Sequence, residues 1–251
     1  MTASVAVVVH HHADRLTADE EISRRHLEAF LHGYDIYLVV PEGSALELPG
    51  ASVQTLPREF FRDHRANSRL RLSREFYEPF RAYEFILVYE LDSLVLKREL
   101  DEWCARGWDY LGAPWLREEG GRVTLTGVGN GGFSLRRVES CLRALERLRR
   151  PVARARASTS FALRLGRRII RPHAPVRQLL RDRYPYEDKV WGIDAPRADP
   201  LFRVAPAEAA LAFAFETHPR ARFELNDRRL PFGCHKWRAH DPEFWEPYLL
   251  R

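Results

Sequence analysis

The stretch FILVYELDSLVL, residues 85–96, sets two carboxylates, Glu90 and Asp92, inside an apolar run. A run of this kind reads as a strand in the middle of a sheet, covered on both faces. Side chains two apart on a strand point to the same side, so the two acids are expected side by side. Their charges then repel, and burial costs several kcal/mol per ion unless a partner compensates. Solvated acids at a strand end would be the bland explanation, but FILVY before them and LVL after them make escape to water harder. A cation removes both problems. Mg²⁺ and Mn²⁺ take oxygen ligands and leave places for substrate phosphates, so the pair suits a metal–diphosphate site.

The flanking sequence says what kind of sheet this strand belongs to. SVAVVV is a short β-branched run. TADEEISRRHLEAFLHG has helical periodicity, a Thr-x-x-Glu capping box and a terminal Gly. YDIYLVVP and ASVQTLP read as strands, and SRLRLSREFYEPF as a helix leading into the central strand. The order β-α-β-β-α-β predicts an α/β fold with a mainly parallel, Rossmann-type central sheet flanked by helices. Beyond residue 100 the pattern becomes irregular, with helices expected at 136–149 and 206–216. An open α/β sheet binds ligands at the carboxyl ends of its strands, where the N-terminal histidines and Glu90/Asp92 fall.

At 251 residues and 45% hydrophobic, the chain can build a real core as one domain, 1–251. No apolar run approaches the roughly 18 to 20 residues needed to span a bilayer. The N-terminus has no basic leader, and Cys104, Cys141 and Cys234 are odd in number and widely spaced. Free thiols in a reducing, cytoplasmic setting are the expectation. The net charge is +5, yet Arg147 to Arg181 contains no acid at all. This basic insert, residues 150–183, fits a solvated helical face or peripheral contact with anionic lipid at the inner face of the membrane. Nucleic acid is disfavoured, because no RNA or DNA fold signature accompanies the basic residues.

Three further segments carry candidate chemistry. GVGNGGFSLRR, residues 127–137, holds four glycines that permit positive φ or close backbone approach, and Asn130 offers an amide to a sugar hydroxyl. The spacing is neither a dinucleotide fingerprint nor a Walker loop. YPYEDKVWG, residues 184–192, sets Glu187 and Asp188 among aromatic residues. There they serve either as a helix N-terminus or as a desolvated general base. LPFGCHKWRAH, residues 230–240, holds His235, which would suit Mn²⁺ as a third ligand, and Lys236, which could meet a phosphate. Cys234–His235 has no zinc spacing.

Taken in order, these pieces resemble the GT-A class of nucleotide-sugar glycosyltransferases. They are more closely similar to a family of uncharacterised GT-A-like bacterial and fungal proteins that share SRLRLSREFYEPF, YELDSLVL, DYLGAPW, GNGGFSLR, EDKVW and LPFGCHKW. The resemblance covers roughly residues 5–149 and 184–245 and omits the basic insert. It implies that Asp92 holds the metal and that Glu90, standing where the family usually has Asp, serves the ribose or a metal-bound water. His235 would complete the site with Mn²⁺ or Mg²⁺. Asn130, Gly131 and Gly132 would face the donor sugar or the acceptor. Asp188, ahead of Glu187, would be the base that deprotonates the acceptor. Val9, His10 and His11 would approach the nucleotide base. Ser73, Ser93, Trp115, Trp191 and Lys236 complete the donor- and acceptor-binding candidates.

The function implied is a metal-dependent, hexosyltransferase-like enzyme. It would move a sugar from a nucleotide-diphosphate donor, UDP- or GDP-type, to a glycan or lipid-linked acceptor in bacterial polysaccharide biosynthesis, with inversion. A retaining transferase, in which Asp188 binds the donor sugar, and a non-catalytic glycan or nucleotide-sugar binding module are the alternatives.

Overall fold

The computed structural model describes residues 4–120, 122–149 and 186–251, so the basic insert lies outside the described residues. Strand β1 (Val5–His10) is followed by helix α1 (Ala18–Leu31), then β2 (Asp35–Pro41) and β3 (Ala51–Leu56). Helices α2 (His64–Arg71) and α3 (Arg74–Tyr77) lead into β4 (Phe85–Tyr89). Later come β5 (Ser93–Val95), α4 (Leu100–Ala105), β6 (Tyr110–Leu111), the hairpin β7 (Pro114–Glu119) and β8 (Arg122–Val128), and β9 (Phe133–Arg137). Helix α5 spans 138–149 and α6 spans Glu187–Lys189. Two short strands, β10 (Ala214–Phe215) and β11 (Gly233–His235), follow.

The main sheet has six strands in the order β3-β2-β1-β4-β9-β6, and all are parallel except β9. This is the mainly parallel α/β arrangement expected. β1 and β4 sit at its centre and are buried along their whole length, which accounts for their uninterrupted apolar sequences. The capping box of α1 forms as read: Thr17 N–H donates to Glu20 at 2.7 Å, and Glu20 N–H donates to Thr17 Oγ1 at 3.3 Å. Ser23 on this helix donates to the Ser93 carbonyl at 2.6 Å, and the Tyr89 hydroxyl donates to the Ser23 carbonyl at 2.9 Å. These bonds fix the helix over the end of β4.

Four expectations are corrected. The central strand does not run through residues 85–96; it stops at Tyr89, whose partner Phe133 is the first residue of β9. Glu90 N–H donates to the Gly132 carbonyl at 2.7 Å, and Ser93 N–H then donates to the Glu90 carbonyl at 2.9 Å, closing a turn over Glu90–Asp92. The chain leaves in β5, which belongs to a second sheet, β10-β11-β5. Turn geometry, not strand alternation, therefore places the two acids.

The segment SRLRLSREFYEPF is not one helix. α2 starts earlier, at His64, where Asp63 accepts from Ala66 N–H at 2.8 Å. It ends at Arg71, whose carbonyl accepts from the Tyr77 hydroxyl at 3.0 Å, and Ser73 is extended before α3 begins. The helix expected at 206–216 covers Ala207–Phe213 only, because Ala214–Phe215 pair with β11. The helix expected from 136 begins at 138, because Arg136 and Arg137 complete β9.

Candidate functional site

The carboxyl ends of β1 and β4, the loop entering β9 and the end of β11 converge on a cleft of about 530 Å³. Register explains the convergence. Tyr89 pairs with Phe133, so Glu90 emerges beside Gly131–Gly132; Ser93 pairs with His235, so Asp92 emerges beside the histidine.

His235 is the hub of the acidic turn. Its Nε2 lies 3.1 Å from Glu90 Oε2 and 3.2 Å from Asp92 Oδ1, and its Nδ1 lies 3.0 Å from Glu216 Oε1. Burial alone would lower the imidazole pKa, but the carboxylates of Asp92, Glu216 and Glu90 raise it well above the ordinary histidine value. One ligand atom each from Glu90, Asp92 and His235 fall within 4.8 Å of one another. With Glu216 holding Nδ1, Nε2 is the nitrogen turned toward the carboxylates, as in carboxylate–histidine–metal sites. Two carboxylate oxygens and one imidazole nitrogen are a donor set that Mn²⁺ accepts well and Mg²⁺ accepts through its oxygens.

Behind this cluster lies a buried guanidinium network that the sequence reading did not include. Arg71, 3% exposed, donates to Glu90 Oε1 and to the Gly131 carbonyl, the latter at 2.7 Å. Its Nη1 also lies 3.5 Å from Glu187 Oε1. Arg136, fully buried, donates to the same Glu187 oxygen at 3.1 Å, to the Tyr77 hydroxyl at 2.9 Å and to Ser134 at 3.0 Å. Burial would raise the pKa of Glu90, but Arg71 and His235 outweigh it and hold the carboxyl well below its usual range.

This network separates the two acids of the EDKVW segment. Glu187 is clamped between two arginines. Asp188 is half-buried in the same cleft, and burial together with the Glu187 charge raises its pKa. The helix reading of the segment is met, since Glu187–Lys189 forms a short helical turn.

Of the remaining candidates, His10, His11, Asn130, Gly131, Gly132 and Lys236 line the cleft. His10 is pushed down to about 3 by burial and by Arg71, so its imidazole is neutral. Asn130 Oδ1 accepts from the Gly132 and Phe133 N–H groups at 2.9 and 3.0 Å, leaving its buried Nδ2 without a partner among the described residues. His10 Nε2, His11 Nε2 and Asn67 Oδ1 are likewise buried and have no hydrogen-bond partner among the described residues. Buried polar atoms are rarely left so, and here all four belong to residues that line one cleft.

Five candidates are not brought to the cleft. Val9 is core within β1, and Ser73 is buried at the start of α3. The Ser93 hydroxyl donates inward to the Gly132 carbonyl at 3.3 Å. Trp191 is fully buried, edge-on to Tyr77 and stacked on Phe202. The Trp115 ring packs against Gly127, Gly129 and Gly192, where any Cβ would collide with it or, at Gly192, with the Val128 carbonyl. The glycines thus divide by task. Gly127 and Gly129 admit an indole, whereas a Cβ on Gly132 would strike His235 and fall 2.6 Å from Glu90 Oε2. None of the four is in the positive-φ region. Arg71 and Asn67 had one legible signal, a basic and an amide residue four apart on the helix before the acidic strand. Glu216 and Arg136 had none, because strand pairing alone brings them in.

Fold and site together define an α/β protein with an acid–histidine centre at the carboxyl edge of a mainly parallel sheet. The chain belongs to the family described as "Protein of unknown function (DUF5672)", whose model matches residues 50–235. No curated protein sequence matches it. Among solved structures, it is similar to a glycosyltransferase involved in glycosylation of the major capsid of PBCV-1, at 14% identity and TM-score 0.45 over 92% of each chain. It is also similar to the galactosyltransferase LgtC in complex with donor and acceptor sugar analogues, at 16% identity and TM-score 0.48, over 92% of this chain and 86% of that one. A third likeness is the apo form of the glycosyltransferase GlyE of Streptococcus pneumoniae TIGR4, at 14% identity and TM-score 0.41, over 93% of this chain and 54% of that one.

The buried network makes Arg136→Met costly, since Glu187 loses its closest partner. Unfolding by urea is expected to show a loss of about 3–5 kcal/mol, largely restored when Glu187→Leu is added. If Glu90, Asp92 and His235 hold Mn²⁺, Gly132→Ala is expected to lower its affinity, measured by calorimetry, at least about tenfold, near 1.4 kcal/mol, because the methyl group displaces His235.

Proposed function

We propose that this protein is a GT-A-type glycosyltransferase that moves a sugar from a nucleoside-diphosphate donor to an acceptor hydroxyl. One observation carries the reading: Glu90, Asp92 and His235, backed by Glu216, meet in the same cleft as Asp188. A divalent cation, Mn²⁺ or Mg²⁺, held by Asp92 and His235 with Glu90 beside them, would supply Lewis-acid stabilisation of the departing diphosphate. Lys236 adds positive charge on the phosphate side. The neutral His10, with His11, Asn67 and Asn130, offers unpartnered polar atoms to the uncharged parts of the donor.

Asp188 is the group that takes the acceptor proton. As its carboxylate accepts that proton, the hydroxyl oxygen bonds to the anomeric carbon. The bond from that carbon to the diphosphate breaks, and the diphosphate leaves with the electron pair. A base must be ionised to act, so its raised pKa places the acid limb of the rate above the ordinary aspartate value of 3.8. The identity of Asp188, not Glu187, as base is supported by the two arginines that hold Glu187 in place.

Two measurements check this. In a thermal-shift panel of UDP, GDP, CMP and dTDP with and without Mn²⁺, one nucleotide is expected to raise the midpoint only with metal, and not in Asp92→Ala. A folded sample that responds to none of them overturns the reading. Asp188→Asn should bind donor normally and lose about 10²–10⁴-fold in turnover. The upward-shifted Asp188 stabilises the fold when protonated, below the unfolded value, and that contribution is lost as pH rises through the folded pKa. The Asn variant should therefore be no less stable than wild type at neutral pH, which denaturant titration would show.

A further inference from the structure

The rim of the cleft carries a side chain that neither the acidic cluster nor the arginine network uses. Tyr186, directly before Glu187–Asp188, lines the cleft and is 58% exposed. Among the described residues it is the only Phe, Tyr or Trp that is exposed. Two side chains flank it. The ring of His64, the first residue of α2, meets it edge-on at 5.3 Å, and the Lys189 ammonium lies 5.4 Å from its centre. A large aromatic surface left open in the lining of a concave site offers a ligand a face to cover.

Chemistry narrows that ligand. Aromatic faces are electron-rich, and one face of a pyranose presents C–H bonds of partial positive charge while its hydroxyls point outward. The polar His64 and Lys189 beside the ring suit those hydroxyls. The cation and the diphosphate belong at the other wall, by Glu90, Asp92 and His235. Tyr186 shares its wall with Asp188, two residues on, to which the acceptor hydroxyl must come.

We infer that Tyr186 is the acceptor platform and that the acceptor is a glycan whose terminal pyranose ring stacks on it. The inference rests on the transferase reading for the role of the bound sugar, but the platform is testable without turnover. The probes are the p-nitrophenyl glycosides of glucose, galactose, mannose and N-acetylglucosamine, followed by saturation-transfer NMR on wild type, Tyr186→Phe, Tyr186→Trp and Tyr186→Ala. At least one glycoside is expected to bind wild type, with its ring protons saturated most strongly. Binding should persist in the Phe and Trp variants and weaken about tenfold in Tyr186→Ala, with the melting midpoint unmoved. Equal binding by the Ala variant, or no glycoside bound by wild type, overturns the platform. The nucleotide panel reads separately. A sugar that needs Tyr186 in a protein indifferent to every nucleotide would uphold the platform and sink the transferase reading. A nucleotide response without Tyr186-dependent sugar binding would do the reverse.

Discussion

The guanidinium of Arg71 is the constraint on which the cleft depends. It is almost wholly buried, and it joins three segments that come from distant parts of the chain: Glu90 after β4, the Gly131 carbonyl before β9, and Glu187 at the start of α6. A buried cation needs this many acceptors, since each unpaired donor in a low-dielectric setting is costly. In return it determines where each acceptor sits. The wall by the acidic turn and the wall that carries Asp188 are therefore held at one spacing by a single side chain.

The charges around it follow a consistent logic. Glu90, Asp92, Glu187, Asp188 and Glu216 all line the cleft, while Arg136 stands behind it. Glu187 is neutralised twice over and acts as a strut. Glu90 has one oxygen on Arg71 and the other by His235, so it is already half committed before any ligand arrives. Asp92 is the least committed member of the cluster: among the described residues its carboxylate meets the imidazole alone. Acids of the same residue type, a few ångströms apart, thus differ in what they are free to do, and only their partners distinguish them.

Close approach, not unusual backbone conformation, accounts for the glycines at 127, 129, 131, 132 and 192. Gly131 and Gly132 let Glu187 and His235 come up to the β9 loop, and Gly132 also sits against Glu90. Gly127, Gly129 and Gly192 do the same for the Trp115 indole, two of them from the same short run. The glycine-rich stretch thus has two parts: Gly127 and Gly129 pack against the Trp115 indole away from the cleft, while Gly131 and Gly132 line the cleft and admit Glu187 and His235.

Local sequence was enough for the alternation of strand and helix, the parallel core and the pairing of Glu90 with Asp92 as a candidate site, because these rest on local periodicity, capping chemistry and the cost of placing charge in an apolar run. The capping box at Thr17 and the apolar β1 and β4 were legible residue by residue. The site was legible only where chemistry is carried by residue type, as at Glu90, Asp92, Asp188 and His235. Tertiary structure decided the rest. It ended the strand at Tyr89, where its β9 partner runs out, and carried the acids on a turn into a second sheet. It brought Glu216 behind His235, turned Glu187 into a strut, and set Trp115, Trp191 and Ser93 into packing instead of the cleft. Each of these depends on which residue lies across a strand pair or a helix contact from it, and such distances are set by register between remote segments, on which local sequence is silent.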